Sequence, residues 1–218
     1  MAQGYVCFDL SMFVPGLARL ADGIEAIDER AWSFIIKHRC GEADLPAGGI
    51  EQASRAHALA EQDYAAGRFA FSFRRLQDSP ANRRVPAFAA LRVLLGSTAV
   101  LELLATVTGR VPLAVSQFYV SRFDQGNFLS THCDPGQSFG LAVNLTRRWD
   151  PNHGGLTLVL DDDRTAVRAC LVPTRFQALL FDTSARQVPH CVSMVTARPT
   201  VPRLAAIARY ATGEADGQ

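Results

Sequence analysis

Phe128-Leu129-Ser130-Thr131-His132-Cys133-Asp134-Pro135-Gly136 is the stretch on which the reading of this chain turns. Its aromatic and β-branched character up to the Pro-Gly pair predicts a strand, Phe128 to Asp134, running into a turn. Side chains two apart on a strand share a face, so His132 and Asp134 can grip one ion while Cys133 points away. A His-x-Asp alone says little, because a strand-end histidine bonded to a turn aspartate gives the same pattern. A second histidine, His190, sits on the later apolar run Gln187-Val188-Pro189-His190-Cys191-Val192. Two imidazoles and one carboxylate are the facial set that holds ferrous iron with coordination positions left open. The rest of the chain then reads as the scaffold that returns His190 to His132.

That scaffold has the composition of a globular protein. Of 218 residues, 48% are hydrophobic and 20% charged, which argues against disorder and is enough for one domain with a substantial core. A net charge of +1 gives no reason to expect a nucleic acid or an anionic membrane as partner. The arginine pairs Arg74-Arg75, Arg83-Arg84 and Arg147-Arg148 are scattered and read as solvated surface. Five cysteines show no CxxC spacing, which leads us to expect a reducing cytoplasm and small core thiols. The first residues lack the order of a signal peptide, and no run is apolar for long enough to span a bilayer.

The chain divides by texture. Residues 1–110 read as a mixed, largely helical part, 111–212 as a β-rich core, and 213–218 as a frayed tail, all within one globular unit. Ile24, Ile27, Trp32, Phe34, Ile35 and Ile36 recur at helical spacing through Lys37, and residues 41–49 read as a loop. Residues 51–66 are alanine-rich with Gly67 behind them, and Pro86 to Leu95 and Thr98 to Val107 are each followed by a helix-ending glycine. Residues 68–75 alternate phenylalanine with small or polar side chains, which is strand periodicity, and the aromatic face reads as core. From Val111 onward, short strands separated by Gly, Pro and Asp turns predict a double-stranded jelly roll with supporting helices. Asp161-Asp162-Asp163 reads as a solvated hairpin turn.

Taken in order, several elements of the second half resemble the Fe(II)/2-oxoglutarate-dependent oxygenases, in particular their prolyl-4-hydroxylase-like branch. They are Phe123-Asp124-Gln125-Gly126, His132-Cys133-Asp134, Asn144-Leu145-Thr146 with Trp149 and Gly154-Gly155, Pro173 through Asp182, His190 and Arg203. The resemblance implies that His132, Asp134 and His190 bind Fe(II), and that 2-oxoglutarate and O2 are the cosubstrates. It implies that Arg203 grips the far carboxylate of 2-oxoglutarate bidentately, with Arg198 and Arg209 as rivals. Asn144, Tyr119, Phe123 and Thr157 are implied to line the same pocket. Related halogenases carry a small residue where this chain has Asp134, so the resemblance favours hydroxylation.

The expected substrate is a small molecule, a free amino acid or a metabolite derived from one. Upstream residues faintly resemble the branch that acts on free amino acids, and Arg74 or Arg75 is a candidate to pair a substrate carboxylate. A peptidyl hydroxylase and a metal-binding jelly roll without keto-acid chemistry remain the alternatives. Oligomeric state is not readable from the sequence.

Overall fold

The computed structural model of the protein describes residues 3–134, 138–184 and 188–212. The expected tail, 213–218, lies outside them, as do Pro135, Gly136 and Gln187. Among the described residues, twelve strands and four α-helices form. The first half holds β1 (Tyr5–Asp9), α1 (Leu17–Glu25), β2 (Ser33–His38), β3 (Gly41–Leu45), α2 (Ile50–Ala65), β4 (Phe71–Gln77), α3 (Pro86–Leu95) and α4 (Thr98–Thr108). The second half holds β5 (Pro112–Phe123), β6 (Phe128–His132), β7 (Phe139–Asn144), β8 (Thr157–Leu160), β9 (Val167–Leu171), β10 (Gln177–Asp182), β11 (His190–Val192) and β12 (Arg203–Thr212).

The strands join as one antiparallel sheet in the order β1-β10-β7-β12-β5-β4-β6-β11-β8-β9, with the β2–β3 hairpin branching from β4. This curled, mainly β architecture with helices on its outside is the expected jelly roll. Side chains alternate across each strand, and here the alternation separates two environments. Leu204, Ala206, Ala208 and Tyr210 of β12, Phe118 and Val120 of β5, and Leu141 and Val143 of β7 face outward. They pack against Ile24, Phe88, Leu91, Leu95, Val100 and Leu104 of α1, α3 and α4. The Tyr210 hydroxyl donates to the Leu95 carbonyl at 2.8 Å, which ties β12 to the end of α3. The opposite residues of the same strands, among them Arg203, Ala205, Ile207, Tyr119, Ser121, Phe123, Ala142 and Asn144, line an interior cavity.

Two sequence expectations need correction, and one strand carries no sequence signal. The helix expected through Lys37 is instead β2, because Ile35 packs on Phe73 and Phe123 while Ile36 packs on Ala53, Ala56 and Phe128. A strand buried on both faces shows a continuous apolar run, which carries no period of two. Residues 41–45 of the expected loop are β3, paired with β2 in a hairpin. The strand β1, which has no alternation to betray it, pairs along its length with β10.

All five cysteines are free, yet none is fully buried: Cys40 and Cys170 are exposed and the other three half-buried. The expectation that they fill the core is therefore not met. Among the described residues, no single helix is long and apolar enough to cross a membrane.

Candidate metal and cosubstrate site

His132 is the last residue of β6 and His190 the first of β11, and the ladder sets them directly opposite one another. Their ring centroids lie 4.4 Å apart. Asp134, two residues beyond His132, turns its carboxylate into the same space, and one ligand atom from each of the three lies within 4.8 Å of the others. Asp134 Oδ1 is 3.3 Å from His132 Nε2, and Oδ2 is 3.9 Å from His190 Nε2.

The hydrogen bonds behind the rings decide what those nitrogens offer. His132 Nδ1 lies 3.0 Å from the Ser130 carbonyl and His190 Nδ1 lies 2.9 Å from the Val188 carbonyl. A carbonyl only accepts, so each Nδ1 carries a proton and each Nε2 faces inward. Burial, helped by the neighbouring His132, pushes His190 down to about 4 and keeps it neutral. Burial opposes ionisation of Asp134, but the His132 contact and the Arg209 charge outweigh it. They hold the carboxyl below the usual range. Two ring nitrogens and one anionic oxygen thus converge on one space. A divalent cation fits that donor set, and two imidazoles with one carboxylate on one side match ferrous iron.

Phe181 and Phe69 hold the imidazoles from either side, at centroid distances of 4.7 Å from His190 and 5.7 Å from His132. Phe73 stacks on Phe123 at 5.0 Å and lines the cavity, so the aromatic face of β4 serves core and pocket together.

Arg203 is 3% exposed, and among the described residues no carboxylate pairs with it. Its Nη2 donates to Thr157 Oγ1 at 2.9 Å and its guanidinium lies 4.9 Å over the Phe123 ring, while its Nε has no partner. Burial lowers its pKa to about 10, which still leaves it charged at neutral pH. A buried cation without an anion is costly. A dicarboxylate reaching it from the metal would supply the missing charge. Space for the arginine stem depends on Gly155, whose absent Cβ would come 3.2 Å from Arg203 Cδ at a φ of +62°.

The remaining candidates separate cleanly. Asn144 faces the cavity across from Ala205 and donates to the Gln177 carbonyl at 3.3 Å. Tyr119, Phe123 and Thr157 line the same cavity. Arg198 borders an outer groove with Arg74 and Arg122, away from the cavity lining. Arg74 also faces outward, stacked 4.7 Å over Phe34 and near Asp124 at 3.7 Å. Arg75 is paired with Asp44 at 2.7 Å and is not part of the cavity wall.

Arg209, the alternative to Arg203 for the keto acid, makes a contact that the sequence does not show. Its Nη2 sits 2.7 Å from Asp134 Oδ1. The signal was present in the sequence: 203, 205, 207 and 209 alternate onto one face of β12, which puts both arginines inside.

No family model and no curated protein matches the sequence. Solved structures do match. A 2OG-Fe(II) oxygenase family oxidoreductase from Burkholderia pseudomallei is 17% identical, with 90% of this chain and 91% of that chain covered at a TM-score of 0.51. IDO from Bacillus thuringiensis is 12% identical, covering 98% of this chain and 92% of that one at 0.50. A prolyl-4-hydroxylase from Pseudomonas putida is 16% identical, covering 90% and 99% at 0.46. At these identities the first two likenesses establish the architecture: the chain carries a jelly roll of the kind seen in that 2OG-Fe(II) oxygenase, with a His-Asp-His group inside it.

Proposed function

We propose that the protein is an Fe(II)/2-oxoglutarate-dependent dioxygenase that hydroxylates an unactivated C–H bond of a small molecule, a free amino acid or a metabolite derived from one. The observation that carries this reading is Arg203, a buried guanidinium without an acid partner, in the same cavity as His132, Asp134 and His190. Iron, when bound with 2-oxoglutarate and dioxygen, supplies hydroxylation coupled to decarboxylation of the keto acid to succinate.

The protein's own residues bind and orient. His132, Asp134 and His190 hold the metal through Nε2, a carboxylate oxygen and Nε2, with the backbone carbonyls of residues 130 and 188 fixing both tautomers. Arg203 binds the distal carboxylate of 2-oxoglutarate, with Thr157 holding the guanidinium from the side. Phe123 and Phe73 wall that end against water, Asn144 supplies a polar edge, and Tyr119 lines the cavity toward Arg209. Five free thiols support a reducing, cytoplasmic setting.

Anaerobic titration with Fe(II) and then 2-oxoglutarate tests the cofactor reading through a weak visible charge-transfer band. A folded protein that binds Fe(II) and shows no band sinks it. With the band in hand, a screen of amino acids for succinate release and a +16 mass product tests the substrate. Turnover confined to peptidyl or protein-bound residues would reject the small-molecule assignment.

A further inference from the structure

The charges lining the cavity do not balance, and the imbalance falls on Arg209. Apart from the two histidines of the metal group, the charged side chains among the described residues of the wall are Asp134, Arg203 and Arg209. The two arginines exceed the one carboxylate by one positive charge. A divalent metal and a dianionic keto acid cancel each other, so loading the site leaves that excess in place. It also changes where the excess lies. The metal draws on Asp134, the acid that Arg209 holds at 2.7 Å, while the keto acid satisfies Arg203. Arg209 is left with a buried Nε that has no partner and an Nη2 whose acceptor is now shared.

The two arginines cannot serve the same end of one small dicarboxylate. They are six residues apart on β12, about 20 Å along a strand, with Ala205 and Ile207 between them. Arg203 is 3% exposed, whereas the Arg209 side chain keeps 15%, so Arg209 stands nearer solvent. Tyr119, whose hydroxyl feels both Asp134 and Arg209, supplies a neutral donor beside it. Arg74 and Arg75, the arginines that the sequence offered for a substrate anion, are not in the cavity lining and pair with Asp124 and Asp44.

Resting on the oxygenase reading above, we propose that Arg209 and Tyr119 form a second anion subsite that receives a carboxylate of the substrate. The substrate is then an acid. A free amino acid meets this requirement through its α-carboxylate. An internal peptidyl residue does not, because its carboxyl is spent in an amide bond. Arg209 acts as the specificity determinant between the two, through the penalty on leaving its buried Nε without an acceptor.

The test uses the wild-type protein loaded with Mn(II) and 2-oxoglutarate, and reads the thermal midpoint against matched ligands: proteinogenic amino acids and the carboxamide of each. At least one acid raises the midpoint, and its carboxamide binds at least about 30-fold more weakly. In Arg209→Gln the acid loses that advantage, while Arg209→Lys, which keeps the charge, retains part of it. A carboxamide that binds as tightly as its acid overturns the proposal. So does a panel in which no acid shifts the midpoint, or an acid preference that survives Arg209→Gln. Failure of the protein to bind 2-oxoglutarate at all would instead strike the oxygenase reading, so the two failures are separable.

Discussion

His132 and His190 are direct cross-strand partners in the β6–β11 ladder, so a single register sets the spacing of both imidazoles. A slip of one residue would turn one ring out of the cavity, because alternate residues face opposite ways. The bulge between His190 and Val192 lies immediately beyond the pair and shifts the register, so that Val192 pairs with Leu129.

Removing one ring tests the triad directly. His190→Ala leaves two ligand side chains and lowers affinity for Mn(II) or Fe(II) by at least about 100-fold, more than loss of a supporting residue behind a ligand usually costs. Anaerobic calorimetric titration reads this. Affinity within a few-fold of wild type would show that His190 is not a ligand.

Arg203 should behave as a residue that costs stability and serves binding. In Arg203→Met the 2-oxoglutarate Kd rises roughly 100-fold with metal affinity intact. The ligand-free protein becomes more stable by about 1 kcal/mol, since an uncompensated buried charge has been replaced by an apolar side chain. Denaturant unfolding without ligands and 2-oxoglutarate titration with Mn(II) give the two readings. A loss of stability would mean that the Thr157 bond and the Phe123 stack outweigh the burial penalty.

Packing behind the site sets a third expectation. A Cβ at position 140 would come 2.6 Å from Phe181 Cε2, and Phe181 rests against the His190 ring. Gly140→Ala therefore drives the phenyl ring toward a metal ligand, costs about 1–3 kcal/mol of stability and weakens metal binding. Unchanged metal affinity in a destabilised variant would uncouple Phe181 from His190.

Asp63 provides a pH dependence far from the metal. It is fully buried at the end of α2, and its carboxylate accepts the Arg39 backbone N–H at 2.6 Å together with Arg68 Nε at 2.7 Å. The Arg39 backbone bond, reinforced by Arg68, lowers its pKa to about 2 against an ordinary 3.8. A depressed folded pKa means that the unfolded chain binds the proton more readily below pH 4. The contribution is full above that value and disappears as pH falls toward 2. Asp63→Asn should destabilise the protein at pH 7 and lose that effect near pH 2. An equal penalty at both values would trace the effect to packing.

The site was legible in the sequence to the extent that its chemistry is local. His-x-Asp on a strand end is a two-residue geometry, and helix-ending glycines and alternating strands could be read from short windows. Arg203, Thr157 and Phe123 followed from a resemblance, and their common wall arises because β12 pairs with β5 while β8 reaches them through the curl of the sheet. β2 carries no strand periodicity because its two faces are buried by different partners, Phe73 on one side and the alanines of α2 on the other. No window of the chain contains that information.

By itself, then, the sequence determined which residues have the chemistry: two imidazoles, one carboxylate and a strand with arginines at 203 and 209 on one face. Only the tertiary structure decided which charges are matched. Arg74 and Arg75 find acids outside the cavity wall, Arg203 is buried with none, and Arg209 leans on the carboxylate that a metal would claim. Charge pairing depends on distances between strands that the sequence separates by tens of residues. Those distances exist only once the sheet has closed.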